Sequence, residues 1–219
     1  MKQDIFAGLV RNELGYWEVA QKPTEEDLRS YYASKYYQEG KGSYDIEYSA
    51  AEIEYFNAKI EQRWNIVKPA FARPGSMLDV GCGEGYALSY LKKLGWTVRG
   101  LDYSRAGLLS KNGHCAPDLL DGDVFQLLQN EEASGNTYDL IWLQNVLEHV
   151  IDPVALLSSL RHLIKPDGVL VVTVPNDFSE LQLRAISGEI VSKPYWVAPP
   201  DHLSYFSKDS LLAIGRRTA

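Results

Sequence analysis

Between residues 76 and 175 the chain alternates short apolar runs with stretches whose apolar positions recur at spacings of three and four. The runs read as strands and the periodic stretches as helices. Ser76–Val80 is a strand candidate followed by the glycine cluster Gly81–Gly85. The pattern predicts a helix over Tyr86–Leu94 ending at Gly95, a strand over Thr97–Leu101 ending in Asp102, and a helix over Ser104–Lys111 stopping near Asn112-Gly113. A weaker strand precedes Asp121-Gly122-Asp123, and Tyr138–Leu143 is a strong one. Pro153–Leu163 is a helix with Asp152 at the N-cap and Pro153 at the first helical position. Lys165-Pro166-Asp167-Gly168 reads as a turn, and Val169–Val174 as an almost wholly apolar strand ending at Pro175-Asn176. Strands alternating with helices predict a parallel sheet covered on both faces, and continuous apolar strands agree with two-sided burial.

Residues 1–75 are different, rich in tyrosine and polar side chains. Thr24 is a candidate N-cap with Asp27 at the capping-box distance, opening a helix that runs into Tyr31-Tyr32. A second helix spans about Ala50–Lys68, with Ile53, Phe56, Ile60, Trp64 and Val67 on one face and Pro69 and Pro74-Gly75 ending it. The expected organisation is a helical appendage or lid at 1–69 and a larger domain at 70–219.

Composition narrows the function. In 219 residues, 22 Lys and Arg against 29 Asp and Glu give a net charge of −7, which argues against wrapping nucleic acid. Two cysteines, Cys82 and Cys115, exclude a disulfide scaffold and a four-cysteine zinc site. No run approaches the ~18 apolar residues of a membrane helix, and Met1–Val10 does not read as a signal peptide, so a soluble cytoplasmic chain is expected, without membrane insertion.

The sharpest chemical feature is Leu78-Asp79-Val80-Gly81-Cys82-Gly83-Glu84-Gly85-Tyr86, glycines between a strand and a helix. Gly81 permits a turn that a Cβ would forbid, and Gly83 allows close approach of a ligand. The helix start behind offers free amides and partial positive charge. Asp102 stands 21 residues beyond Gly81 at a strand tip, where a carboxylate can accept hydrogen bonds from both hydroxyls of a ribose. Together these describe a nucleoside cofactor. The glycines at 81, 83 and 85 miss the dinucleotide spacing, although Ala87 lies near its last position. Asp79 below the loop suits a cationic amino group and disfavours a pyrophosphate. A ligand with an ammonium and a sulfonium fits better than one with two phosphates.

Here the sequence resembles the class I S-adenosylmethionine-dependent methyltransferases. LDVGCGEGY is similar to their first motif, and Gly100-Leu101-Asp102-Tyr103-Ser104 to their ribose-binding segment. Asp121-Gly122-Asp123-Val124 resembles the third-strand loop, which implies that Asp123 bonds the adenine amino group and the Val124 amide a ring nitrogen. Tyr138–Trp142 with Leu143–Val150, and Lys165–Leu170, resemble the fourth and fifth motifs. The likeness covers about residues 70–175 and is strongest for small-molecule methyltransferases with an E-x-L-E-H-V-like segment, which act on quinone precursors, sugars and natural-product intermediates. It implies a Rossmann-like, doubly wound α/β fold with a mostly parallel sheet. It also implies S-adenosyl-L-methionine as cofactor, S-adenosyl-L-homocysteine as product, and cofactor contacts from Asp79, Gly81, Cys82, Gly83, Gly85, Asp102, Tyr103, Asp123, Val124, Gln144 and Asn145.

Methyl transfer needs a positioned nucleophile and, for a hydroxyl acceptor, a base. The catalytic candidates are His149, Glu148 and His202. His149 is either a general base or a hydrogen-bonded structural histidine, Glu148 either catalytic or an ordinary helix-start residue. His202 lies in a His-x-x-x-Phe segment that relatives carry near the active site. Some relatives with Glu-x-x-Glu-His use a divalent metal; Asn145 stands at the first position here, so no metal is expected. Tyr31, Tyr32, Tyr36, Tyr37, Tyr44 and Tyr48 form an aromatic cluster, either a lid with one of the first four on the cofactor or a packed flap. Tyr195-Trp196 is a candidate acceptor-pocket wall. Nothing after His202 supplies the usual C-terminal strand hairpin, which leaves the fifth strand as an apolar edge covered by a strand from another subunit, as in a homodimer, or by the appendage, or bare through truncation, the favoured explanation. The expected activity is methyl transfer to a small-molecule hydroxyl. A non-catalytic cofactor-binding module and a nicotinamide-dependent oxidoreductase are the alternatives.

Overall fold

The computed structural model describes residues 5–28, 30–31 and 47–218. The chain divides into two compact units, one of Tyr31–Gln144 and His162–Val172, the other of Met1–Ser30, Asn145–Arg161 and Thr173–Ala219.

The first unit is built on strands β3 (Ser76–Val80), β4 (Thr97–Asp102), β5 (Leu119–Asp121), β6 (Tyr138–Gln144) and β7 (Ile164–Thr173), after β1 (Leu9–Arg11) and β2 (Trp17–Val19) of the other unit. Their order across the sheet is β5-β4-β3-β6-β7. β3 runs parallel to both β4 and β6, with Val80 level with Leu101 and Leu143, and β4 runs parallel to β5, with Asp102 level with Asp121. The carboxyl ends of four strands therefore share one edge, where α/β folds bind ligands.

Helix α1 (Ala50–Val67) opens with a capping box in which Ser49 and Glu52 satisfy each other's amides. Its face presents Ile60 and Trp64, buried with Met77, Leu88, Leu91, Trp96, Leu140 and Trp142. Ile53, predicted on that face, is exposed because it lies a turn before the buried contacts begin. Trp64 stacks on Phe71 at 5.9 Å and meets Trp96 edge-on at 5.4 Å. Helices α2 (Tyr86–Lys93), α3 (Ala106–Asn112) and α4 (Val124–Ala133) complete the layers, and α5 (Pro153–Leu163) precedes β7. The α/β, mostly parallel expectation is met.

The segment Lys165–Gly168, predicted as a turn, falls inside the span of β7. Lys165 pairs with Asp139 at 2.8 Å, and the Gly168 backbone lies so close to Ile164 and the Asp139 carbonyl that an added Cβ would come within 2.6 Å of Ile164 Cγ1. Fully extended backbone could not bring residues four apart into such contact, so the chain folds back here as the turn chemistry predicts. β7 ends the sheet order, as the apolar fifth strand was expected to.

The second unit holds an antiparallel sheet, β1-β2-β8, with β8 at Ser204–Tyr205. These strands lacked the length for a periodic signal and were not predicted. Neither were α4 nor α6 (Glu180–Ser187); α7 (Lys208–Thr218) follows β8. Around the small sheet Tyr16 packs on Phe206 at 4.9 Å and Phe6 stacks on Trp17 at 4.2 Å. Thr24 and Asp27 cap each other as the spacing predicts, and residues 25–28 are helical. Tyr32, Tyr36, Tyr37 and Tyr44 lie outside the described residues; Tyr31 is helical and half-buried. Among the described residues no helix is long and apolar enough to cross a membrane.

Candidate active site

The glycine loop leaves β3 with Gly81, Gly83 and Gly85 at φ of 70°, 52° and 75°, a region closed to most side chains. The Gly81 and Cys82 amides both donate to the Leu101 carbonyl, at 2.8 and 3.1 Å, tying the loop to β4. Gly85 is the N-cap of α2, and a Cβ there would meet Leu108 at 3.0 Å. A Cβ at Gly83 would meet nothing within 4 Å, so that backbone faces open space. Cys82 packs inward; an added Cβ on Gly100 would come within 2.9 Å of its sulfur. Burial pushes the Cys82 thiol well up, which suits a space-filling residue rather than a nucleophile.

Asp102 closes the loop from the next strand. Its carboxylate accepts from the Gly83 amide at 2.7 Å and the Ser104 amide at 3.0 Å. Burial raises its pKa against these amides and that of Tyr103, which lower it. Asp79, 3% exposed, is pushed up to about 8 by burial and then by the charge of Asp102. A pair of a buried and a half-buried acid suits a ligand that brings positive charge to one carboxylate and hydroxyl donors to the other. Open backbone at Gly83, an acid below the loop and an acid beyond it fit the amino-acid end and ribose of an adenosyl sulfonium. From outside, the Tyr48 hydroxyl donates to Glu84 at 2.9 Å and Lys111 lies 4.7 Å above the Tyr48 ring.

Further along the same strand edge, the Gly122 amide donates to the Asp102 carbonyl at 2.9 Å. Asp123 is the N-cap of α4, its Oδ1 accepting from Phe125 and Gln126 at 3.0 and 3.1 Å, and Val124 is the first helical residue, 6% exposed. Gln144 closes β6, its side-chain oxygen accepting from the Trp142 indole at 3.3 Å.

The second unit gathers the catalytic candidates. Asn145 turns the chain at φ 53°, its amide donating to the Thr173 carbonyl at 2.8 Å. Glu148, His149 and His202 each offer a ligand atom, all within 4.8 Å of one another, a set that could hold a divalent metal ion. The rings of His149 and His202 meet edge-on at 4.8 Å. His149 Nδ1 lies 2.6 Å from the Asp201 carbonyl, so that nitrogen carries a proton and the neutral ring is basic at Nε2. Glu148 Oε1 is 3.9 Å from that Nε2. The Leu203 amide donates to the Glu148 carbonyl at 2.8 Å, joining the two segments. Burial, and then the charge of Asp177, bring Glu148 to about 7.

Residues 51–218 match the methyltransferase-domain family. The chain belongs to that family. It is 32% identical over 133 residues to a ubiquinone biosynthesis O-methyltransferase of Caulobacter vibrioides, covering 58% of this chain and 51% of the relative. A protein of the same name from Actinobacillus pleuropneumoniae is 34% identical over 124 residues, 53% of each chain. The chain thus spans about half the length of these curated relatives. A crystal structure of a SAM dependent methyltransferase from Archaeoglobus fulgidus shares the fold, with a TM-score of 0.57 and 21% identity over 79% of this chain and 74% of that one. The methyltransferase resemblance is thereby borne out, in family and in fold.

Within this methyltransferase, the structure links Asp79, Gly81, Cys82, Gly83, Gly85, Asp102 and Tyr103 through the loop, strand and amide contacts above, and sets Asp123, Val124 and Gln144 at the ends of β5 and β6. It brings Glu148, His149 and His202 together in the other unit. Sequence reasoning missed Asp177, buried at 2% exposure just past β7. Its place in the sequence, two residues after Pro175 at the end of a predicted strand, carries no signal until that burial is seen.

Proposed function

We propose that the chain transfers a methyl group from S-adenosylmethionine to a hydroxyl oxygen of a small-molecule acceptor, in a sugar, a quinone-like ring or a lipid-like intermediate. The observation that carries this reading is the acid pair of buried Asp79 and half-buried Asp102 flanking the open Gly83 backbone. Asp79 receives the cationic amino end, the loop amides and the start of α2 take the carboxylate, and Asp102 holds the ribose hydroxyls. Asp123 and the Val124 amide receive the adenine edge.

When bound, the cofactor supplies a methyl carbon made electrophilic by its sulfonium. His149 takes the acceptor's hydroxyl proton at Nε2 while the Asp201 carbonyl holds Nδ1–H. The bound cofactor would supply the methyl group to the acceptor oxygen, and the acceptor's proton would end on His149. Glu148, beside Nε2, stabilises the imidazolium. The names of the curated relatives support oxygen as the acceptor atom, and the chain's net charge of −7 favours a small molecule over nucleic acid. The test is calorimetry with S-adenosylhomocysteine and NAD, followed by transfer of labelled methyl to phenol and sugar acceptors. Binding of S-adenosylhomocysteine with transfer to oxygen supports the reading; binding of NAD alone contradicts it.

A further inference from the structure

In the second unit, Glu148 and Asp177 are 1% and 2% exposed. Among the described residues, Glu148 Oε2 and both carboxylate oxygens of Asp177 have no hydrogen-bond partner, and no lysine or arginine pairs with either acid. Buried carboxylate oxygens are ordinarily satisfied, and a buried charge is ordinarily matched. The same unit holds a second kind of unsatisfied group. The Trp196 indole N–H and the Ser204 hydroxyl, at 7% and 0% exposure, also lack partners among the described residues.

These groups belong to one neighbourhood. The Asp177 amide donates to the Phe206 carbonyl at 2.8 Å, and the Leu203 amide to that of Glu148, so the two acids flank the 203–206 segment that contains Ser204. Phe178 stands 5.6 Å from Trp196 and 6.2 Å from Tyr205, ring to ring. Three unpartnered carboxylate oxygens, on residues that adjoin this aromatic group along the chain, have the chemistry to suit a compact organic cation. The carboxylates supply charge and hydrogen-bond acceptors, and the rings favour a cation over a neutral group. The other titratable groups at the cluster are His149, His202 and Tyr205.

We infer that Glu148 and Asp177 form an anionic subsite for an ammonium group on the methyl acceptor. This rests on the methyl-transfer reading above and narrows its acceptor to a hydroxyl compound that also carries an amine.

The experiment measures equilibrium binding, by saturation-transfer NMR with S-adenosylhomocysteine present, of two matched pairs: tyramine with 4-ethylphenol, and methyl glucosaminide with methyl glucoside. The expected result is that the amine member of at least one pair binds at least about tenfold tighter, the scale of one hydrogen bond to a charged group. Asp177→Asn collapses that preference towards unity and Asp177→Glu retains it. Parallel titration of S-adenosylhomocysteine reports whether each variant is folded. Equal or undetectable binding of both members in both pairs overturns the subsite while the cofactor reading stands. If the wild-type chain fails to bind S-adenosylhomocysteine, the methyl-transfer reading is what fails, and the subsite goes with it. Saturable binding of Zn²⁺ or Mg²⁺ alone, lost in Asp177→Asn and unaccompanied by an amine preference, assigns the carboxylates to a metal and also overturns it.

Discussion

The glycine loop and the Glu148 cluster both bury acidic groups, and they treat them differently. Around the loop the backbone answers the acid: Gly83 and Ser104 amides hold Asp102 at 2.7 and 3.0 Å. In the Glu148 cluster, three carboxylate oxygens have no hydrogen-bond partner among the described residues. The first arrangement is preorganised by the chain's own turns and leaves Asp79 to meet a ligand cation. The second relies on whatever enters it.

The largest effect expected to separate the two regions comes from His149→Ala. Loss of a general base lowers the transfer rate about 10²- to 10⁴-fold, read in single-turnover assays, with S-adenosylhomocysteine affinity unchanged. A comparable fall in cofactor affinity would erase the distinction. Asp79→Asn sharpens the other side, weakening S-adenosylhomocysteine by about 10- to 100-fold through loss of a charge-assisted contact. Asp79 also predicts a proton. With its carboxyl near 8 in the free protein, it is mostly protonated at neutral pH, and an ammonium partner drives that proton off. Calorimetry in buffers of different ionisation enthalpy should show release approaching one proton per ligand at about pH 7, absent in the variant. Because folding raises this pKa above its ordinary 3.8, Asp79 lowers stability progressively as pH rises from about 4 to about 8. Denaturation of the free variant should lack that part of the slope.

The smallest effect lies at the opposite end of the sheet. Burial alone would raise Asp139, but Lys165 and the Ser76 amide and hydroxyl hold it down to about 2. Its contribution to stability is present above the ordinary pKa of 3.8 and is lost as pH falls through about 2. Asp139→Asn should cost about 1–2 kcal/mol at neutral pH, measured by denaturant unfolding, and leave the cofactor titration unaltered.

Legibility in the sequence followed the same division. Ser76–Val80 and Pro153–Leu163 match the predicted elements residue for residue, because continuous apolar runs and an Asp152-Pro153 start are strong local signals. The loop glycines could be read because three of them need positive φ. The β1-β2-β8 sheet could not, since strands of two or three residues carry no period and pair only through tertiary structure. Asp177 escaped for a related reason: a single acid after a strand acquires meaning only when its burial is seen. The Lys165–Gly168 turn was legible because Pro-Asp-Gly chemistry is local, and Gly168 folds back towards Ile164 and the Lys165 carbonyl.

The account depends most on the grip of Asp102 and the glycine loop on the adenosyl group. Isothermal titration of S-adenosylhomocysteine into the wild-type chain and into Asp102→Ala, with Asp102→Asn as a milder check on folding, tests it directly. Two lost hydrogen bonds from ribose to a carboxylate predict about 100-fold weaker binding in Asp102→Ala. Affinity equal to wild type in a folded Asp102→Ala variant would contradict it.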